Sequence, residues 1–300
     1  MSPPAAEDPQ PAVATPPAVS RRKFLRRAVG GTAAAAAGTF LYTWRVEPHW
    51  VEVVRRPLPL ANLPPELIGK RLVQLSDLHA GPVVDQSFLL RWAEGVAELE
   101  PDFIAITGDF MTCHGDEQVP RAVDVIRALP RPPLGRFAIL GNHDYGHGWR
   151  HEEAASRLSR ALERLDLAVL RNESADFGGL QIAGVDDYYT RNFKPELALA
   201  NLDSSRPAIA LCHNPDAVDK PRWGDYRGWI LAGHTHGGQC KAPFMAPWAL
   251  PVRNKRYVAG EYALDGGRRL YINRGLGYRH RLRFNCRPEI TVFTLTQAEA

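Results

Sequence analysis

The sequence predicts an α/β domain in which two mixed β-sheets pack face to face with helices outside. Three observations predict it. Seven short apolar runs, unalternating and rich in Ile, Leu and Val, read as strands buried on both faces. Amphipathic stripes at helical spacing lie between several of them. Most of these runs end in polar, glycine-flanked residues, the punctuation of tight turns.

Taken in order, residues 1–19 are Pro, Ala, polar and acidic residues with nothing to pack, and disorder is expected there. Ser20-Arg21-Arg22-Lys23-Phe24-Leu25 comes next, then Arg26 and Arg27, then an uncharged run of 17 residues from Ala28 to Trp44. A charged patch before a weakly apolar, Ala- and Gly-rich run has the architecture of an export signal. It resembles a twin-arginine signal, which implies the twin-arginine translocase as a partner and a position beyond the cytoplasmic membrane. Ala35-Ala36-Ala37 offers small residues for a peptidase. The run also reaches the lower limit for one crossing, so a single anchor with membrane contact through residues 1–44 is the other form of the same expectation. The bland alternative is a basic linker and an Ala-rich surface helix.

Residues 45–69 read as an extended lead-in, with an edge strand at Val51–Val54 that Pro57, Pro59, Pro64 and Pro65 keep from continuing. The domain proper is expected over 70–297. Its strands are Leu72–Ser76, Phe103–Thr107, Phe137–Leu140, Gln181–Val185, Ile209–Cys212, Trp229–Ala232 and Leu270–Asn273. Helical stripes fall at Phe88, Leu89, Trp92, Val96 and Leu99, at Val123, Ile126 and Leu129, and at Leu158, Ala161, Leu162 and Leu165. Tyr257–Asn273, turning at Asp265-Gly266-Gly267, reads as a hairpin.

With 45 % hydrophobic and 23 % charged residues, the chain is neither a disordered nor a polytopic membrane protein. The net charge is +4, and residues 1–27 hold five basic residues against two acidic ones. The excess therefore belongs mostly to the amino terminus and gives no nucleic-acid-binding face. Four cysteines lack any CxxC spacing, which excludes a zinc ribbon. Cys212 reads as a small buried hydrophobe.

The chemistry sits at the strand ends: Ser76-Asp77-Leu78-His79, Gly108-Asp109, Gly141-Asn142-His143-Asp144, Cys212-His213-Asn214 and Gly233-His234-Thr235-His236. Carboxyl ends of strands in open α/β sheets point into one crevice, so residues far apart in sequence converge. Asp77, His79, Asp109, Asn142, His213, His234 and His236 supply imidazole, carboxylate and amide donors that suit zinc, manganese or iron without a thiolate. Seven donors exceed one tetrahedral ion and match two ions sharing a carboxylate.

This motif series resembles that of the calcineurin-like metallophosphoesterases over residues 70–297. The resemblance implies a four-layer α/β/β/α sandwich and two divalent metal ions. Asp77, His79, Asp109 and His236 would hold the first and Asp109, Asn142, His213 and His234 the second, with Asp109 bridging. The implied activity is hydrolysis of phosphomonoesters or phosphodiesters by in-line attack of a metal-bridging hydroxide. The matching histidine of the family, His143 here, protonates the leaving oxygen or steadies the transition state. Asp144 is expected to orient that loop. Protein phosphatases continue the second motif as Asp-Arg-Gly, whereas Asp109 is followed by Phe110-Met111-Thr112. That argues against a phosphoprotein substrate and leaves His114 or Asp116 as candidate partners of His143.

Leu-Val-Gln-Leu-Ser-Asp-Leu-His at 72–79, Gly237-Gly238-Gln239, Gly184-Val185-Asp186-Asp187 and Asn273-Arg274-Gly275-Leu276-Gly277 look like a bacterial branch of exported or membrane-associated phosphodiesterases. Some of these act on UDP-2,3-diacylglucosamine in lipid A synthesis, which is one alternative; a non-catalytic metal-binding module is another. Arg274 is a candidate for substrate phosphate, weighed evenly against a solvated turn arginine. Tyr278-Arg279-His280-Arg281-Leu282-Arg283, with Pro243, Phe244 and Trp248, reads as a solvated loop or a basic lip for an anionic or lipid-linked substrate. Asp186 and Asp187 read as turn residues.

Overall fold

The computed structural model describes residues 20–112 and 117–298 and the backbone of Asp116. Cys113, His114 and the Asp116 side chain lie outside it, and so do residues 1–19. The chain divides into two compact units, Met1–Leu41 and Tyr42–Ala300. In the first, helix α1 (Arg21–Leu41) buries none of its residues. Among the described residues no helix is long and apolar enough to cross a membrane. The anchor expected of residues 28–44 thus lacks the hydropathy for it, because glycines and alanines dominate the run.

The second unit holds both sheets. Strands β1 (Glu52–Leu60), β2 (Arg71–Leu75), β3 (Phe103–Thr107), β4 (Arg136–Ile139), β5 (Ala168–Val169) and β12 (Glu289–Gln297) form one, in the order β1-β12-β2-β3-β4-β5. Strands β6 (Glu173–Phe177), β7 (Leu180–Val185), β8 (Ala208–Cys212), β9 (Trp229–Ala232), β10 (Gly260–Ala263) and β11 (Arg269–Ile272) form the other, in the order β10-β11-β9-β8-β7-β6. Both are mixed: β2, β3, β4 and β5 run parallel with β12 antiparallel beside β2, and β7, β8, β9 and β11 run parallel between antiparallel β6 and β10.

Leu72, Phe103, Phe137 and Ile139 of the first sheet meet Ile182, Ile209, Leu211 and Leu231 of the second in a fully buried core. The first sheet's other face is covered by α2 (Gln86–Gly95), α3 (Val119–Ala128) and α4 (Glu152–Glu163), through Phe88, Val125, Ile126 and Leu158. In α4 the alanines and leucines face in while Arg157, Arg160 and, just past its end, Arg164 face out, as the stripe requires. The fourth layer is thinner than expected. One five-residue helix, α5 (Pro195–Leu199), a 3₁₀ turn at Pro215–Asp219 and Trp223 cover it.

The expected strands and helices appear within a few residues, and the hairpin pairs Gly260 with Ile272. The lead-in differs. β1 runs through Pro57 and Pro59 instead of ending before them, paired with β12 over nine residues. It is an edge strand, so every second N–H points to solvent. Two prolines at i and i+2 share that side and cost the ladder nothing.

Candidate metal centre

Strands β2, β3, β4, β8 and β9 end side by side, and the turns after them carry the site. The turns after β2, β3 and β9 are unusually sharp. Asp77, His79, Asp109, His234 and His236 all have positive φ, between 48° and 70°. Non-glycine residues rarely adopt that region, and clusters of them mark sites where backbone is bent to aim side chains. Here the left-handed turns fold carboxylates and imidazoles back over the strand ends. The turns also interlock: the Asp77 amide donates to the Gly108 carbonyl (2.9 Å) and the His79 amide to that of Asp109 (3.0 Å).

Two nests of donor atoms result. In the first, Asp77, His79 and His236 converge; His79 Nε2 lies 3.1 Å from His236 Nε2, and His236 Nε2 lies 3.3 Å from Asp77 Oδ1. In the second, Asp109, His213 and His234 converge; His213 Nε2 is 3.2 Å from both Asp109 Oδ2 and His234 Nδ1. Asp109 Oδ2 is also 3.6 Å from His79 Nε2, so this oxygen stands between the nests.

Other contacts fix these side chains. The Thr107 carbonyl lies 2.7 Å from His213 Nδ1, and the Pro251 carbonyl 3.0 Å from His234 Nε2. A ring N–H donated to each carbonyl aims the opposite nitrogen at its nest, the arrangement that orients metal ligands. The Asp77 carboxylate accepts from the Ser76 hydroxyl (2.6 Å) and the His234 amide (3.0 Å). Glycines permit the close approach: a Cβ on Gly141 would sit 2.2 Å from Asp109 Oδ1, and one on Gly233 2.4 Å from Asp77 Oδ2.

A cation pair suits these residues. All six donors are buried, and both polar atoms of the Asn142 amide beside them have no hydrogen-bond partner. Burial pushes His79 down to about 3, His234 down to about 4 and His236 well below the usual histidine range, so their lone pairs are free. Burial also disfavours the His213 imidazolium, but the Asp109 charge and hydrogen bond outweigh it and raise its pKa well above the ordinary value. Asp109 resists its own burial through the charge of His213 and stays well below the carboxylate range.

Asn142, His143 and Asp144 lie in the 3₁₀ turn after β4. The His143 amide donates to Asp109 Oδ1 (2.9 Å), setting that turn against the shared carboxylate. The His143 ring stands edge-on to His79 with centroids 4.9 Å apart, and its Nδ1 has no partner. Asp144 points elsewhere. Its two oxygens accept the amides of Met111 (3.0 Å) and Gly141 (2.9 Å), tying the turns after β3 and β4 together. Burial and the Asp109 charge push its carboxyl well above the usual range, against the pull of those two amides.

Asp144→Asn must turn an NH₂ group toward one amide N–H. The expected cost is about 1–3 kcal/mol of stability, from a buried donor left unpaired. Guanidinium denaturation of the metal-free chain measures it.

Arg274, a candidate for substrate phosphate or a solvated turn arginine, is mostly buried and ion-paired. Its guanidinium donates to Glu289 and to Glu52 (3.0 Å), so two carboxylates already engage it. The expected basic lip is also reduced. Arg283 is fully buried and donates to the carbonyls of Arg274, Gly275, Gly277 and Cys286, and Arg281 pairs with Asp85. Only Arg279, His280 and Leu282 of that run are exposed. Asp187, expected as a turn residue, is buried near His213 with Oδ2 unpartnered, and burial pushes it up to about 7. Ser76 is adjacent to the Asp77 motif and readable; nothing in the sequence marks the Pro251 carbonyl.

A family model described as calcineurin-like phosphoesterase matches residues 70–238. The uncharacterized metallophosphoesterase YkuE of Bacillus subtilis is 35 % identical over 92 % of this chain and 98 % of its own. The phosphodiesterase YaeI of Escherichia coli is 32 % identical over 92 % of this chain and 99 % of its own. The UDP-2,3-diacylglucosamine pyrophosphatase LpxG of Chlamydia trachomatis is 29 % identical over 86 % of this chain and 93 % of its own. With both sheets, two buried donor nests and a match over more than half its length, the chain belongs to the calcineurin-like phosphoesterases and is a metallophosphoesterase, a hydrolase.

Proposed function

We propose that the chain is a two-metal phosphoesterase, exported by the twin-arginine route, that cleaves phosphomonoesters or phosphodiesters of a small or lipid-linked molecule. One observation carries the reading: two buried donor nests meet at the single oxygen Asp109 Oδ2. Asp77, His79, His236 and Asp109 would hold one ion, and Asp109, Asn142, His213 and His234 the other. Manganese, zinc and iron all suit such nitrogen and oxygen donors. When bound, such a pair supplies Lewis acidity for the phosphoryl oxygens and a water ionised near neutral pH.

The chain's own residues do the rest. Asp109 offsets the repulsion between two cations. The Thr107 and Pro251 carbonyls hold the His213 and His234 rings so that the opposite nitrogen of each would meet an ion. His143, edge-on to His79 and 6 % exposed, would give a proton to the departing oxygen. Arg21, Arg22 and the weakly apolar helix after them support export, and export implies the extracytoplasmic side.

The name of the relative LpxG offers a narrower substrate, UDP-2,3-diacylglucosamine. Metal analysis together with a phosphoester panel tests both readings. We expect about two divalent ions per chain, as in other two-metal sites, and hydrolysis of bis-p-nitrophenyl phosphate that a chelator abolishes and Mn²⁺ restores. Turnover of UDP-2,3-diacylglucosamine above the simple diester would select the narrower substrate. A metal-loaded chain that turns over nothing in the panel would be a binding module instead.

A further inference from the structure

The segment between Gly238 and Pro251 has both ends fastened to the metal centre and its middle projecting into solvent. At one end, Gly238 lies two residues after His236 and its amide donates to the Thr235 carbonyl (2.8 Å). At the other, the Pro251 carbonyl faces His234 Nε2 and accepts from the Tyr189 hydroxyl (2.8 Å). Between them lies Lys241-Ala242-Pro243-Phe244-Met245-Ala246-Pro247-Trp248-Ala249-Leu250.

Its large apolar side chains do not turn inward. Phe244 is fully exposed, Trp248 is 87 % exposed and Met245 64 %. Leu282, on the neighbouring loop, is 36 % exposed. Gln239 ties the two loops, donating to the His280 and Leu282 carbonyls (2.9 Å each). A soluble chain gains nothing by holding a Phe, a Met and a Trp in water on one short loop, and such patches mark contact surfaces.

The surrounding charge identifies the contact. No Asp or Glu occurs from 226 to 260 or from 266 to 288, while Lys241, Arg253 and Arg279 stand at the roots of the two loops. Lys241 is half-buried and the two arginines are exposed. Asp85 pairs with Arg281 and Asp216 accepts the Arg253 amide, which leaves the side chains of Lys241, Arg253 and Arg279 as the charges beside the apolar and aromatic tips, a combination complementary to an anionic bilayer. Trp and Phe enter at headgroup depth while the cations meet the lipid phosphates.

We propose that the loop 241–250 inserts into the interface of an anionic membrane and sets the mouth of the metal centre against it. The contact deepens the phosphoesterase reading, on which it rests for its purpose, by favouring a phosphoester carried at headgroup level.

The test is sedimentation of the metal-loaded full chain with vesicles of phosphatidylglycerol and phosphatidylcholine, equal parts, and with phosphatidylcholine alone. The amino-terminal cations would attract the same vesicles, so every protein compared carries Arg21→Gln, Arg22→Gln, Lys23→Gln, Arg26→Gln and Arg27→Gln. Binding to the anionic vesicles, weaker binding to the neutral ones, and a loss of about tenfold or more in Phe244→Ser/Trp248→Ser are expected. Lys241→Gln/Arg279→Gln should weaken only the anionic binding. Hydrolysis of soluble bis-p-nitrophenyl phosphate should stay at the parent rate in both variants.

Equal sedimentation of parent and Phe244→Ser/Trp248→Ser, or none by either, overturns the proposal. A lipid-free dimer that the same variant dissolves assigns the patch to a second copy of the chain and also overturns it. So does a fall in soluble turnover in the loop variant, which makes the loop part of the site. Binding is read without turnover, so an inactive parent chain would sink the phosphoesterase reading and leave the membrane result standing.

Discussion

Asp109→Asn should leave a folded chain that holds about one divalent ion or fewer, in place of the two ions of such sites, and that has lost nearly all turnover. The substitution is isosteric and keeps the oxygen that accepts the His143 amide. It replaces the other oxygen, the one 3.2 Å from His213 Nε2 and 3.6 Å from His79 Nε2, with an uncharged donor. Among the described residues no other carboxylate serves both nests: Asp77 belongs to the first, and Asp144 is committed to backbone amides. Losing that charge removes a ligand from each nest and the offset to cation repulsion together. If the lost Lewis acidity costs about 4 kcal/mol in the transition state, kcat/KM falls by about 10³. Elemental analysis and a thermal melt belong beside the kinetics, so that lost metal is separated from lost fold. A folded Asp109→Asn chain with two ions and the parent rate would defeat the two-metal reading.

His143→Ala should do the opposite: keep both ions and lose the rate. It is the amide of His143, not its ring, that braces Asp109, and alanine retains that amide. The ring touches the centre only edge-on, beside His79, with Nδ1 unpartnered. A positioned acid contributes about 10²–10⁴-fold, and that is the loss expected in kcat. The loss should depend on the leaving group. p-Nitrophenolate departs without a proton, so its esters should suffer less than alkyl phosphoesters. A uniform loss across both would make His143 a stabiliser of the phosphoryl charge, and a loss of metal would make it a structural support. The contrast with Asp109→Asn is what separates holding the ions from using them.

Much of this molecule is legible in its sequence. Strands such as Phe103–Thr107 and Trp229–Ala232 are bounded in the structure where their apolar runs begin and end, because a strand buried on both faces has no reason to alternate. Strands β5 and β6 carry no such signal, and in β12, Glu-Ile-Thr-Val-Phe-Thr-Leu-Thr-Gln, threonines interrupt the apolar run. β5 has two residues, and β6, Glu-Ser-Ala-Asp-Phe, is a half-exposed edge with little apolar content. β12 takes its meaning from insertion between β1 and β2. The prolines of β1 mislead for the same reason: whether a missing N–H matters depends on which side of a sheet it faces.

At the site, residue chemistry and glycine spacing nominate the seven donors, and the fold brings six of them into two nests, with Asn142 beside them on the turn that braces Asp109. Donor types and the strand ends that carry them are thus legible residue by residue, because side-chain chemistry and hydrophobic period are local properties. That five of those residues turn left-handed, that Arg274 pairs with Glu289 and Glu52, and that Arg283 lies in the interior follow from the fold instead. Pairing of charges and the sign of a backbone turn depend on neighbours distant in the chain, which no local pattern encodes.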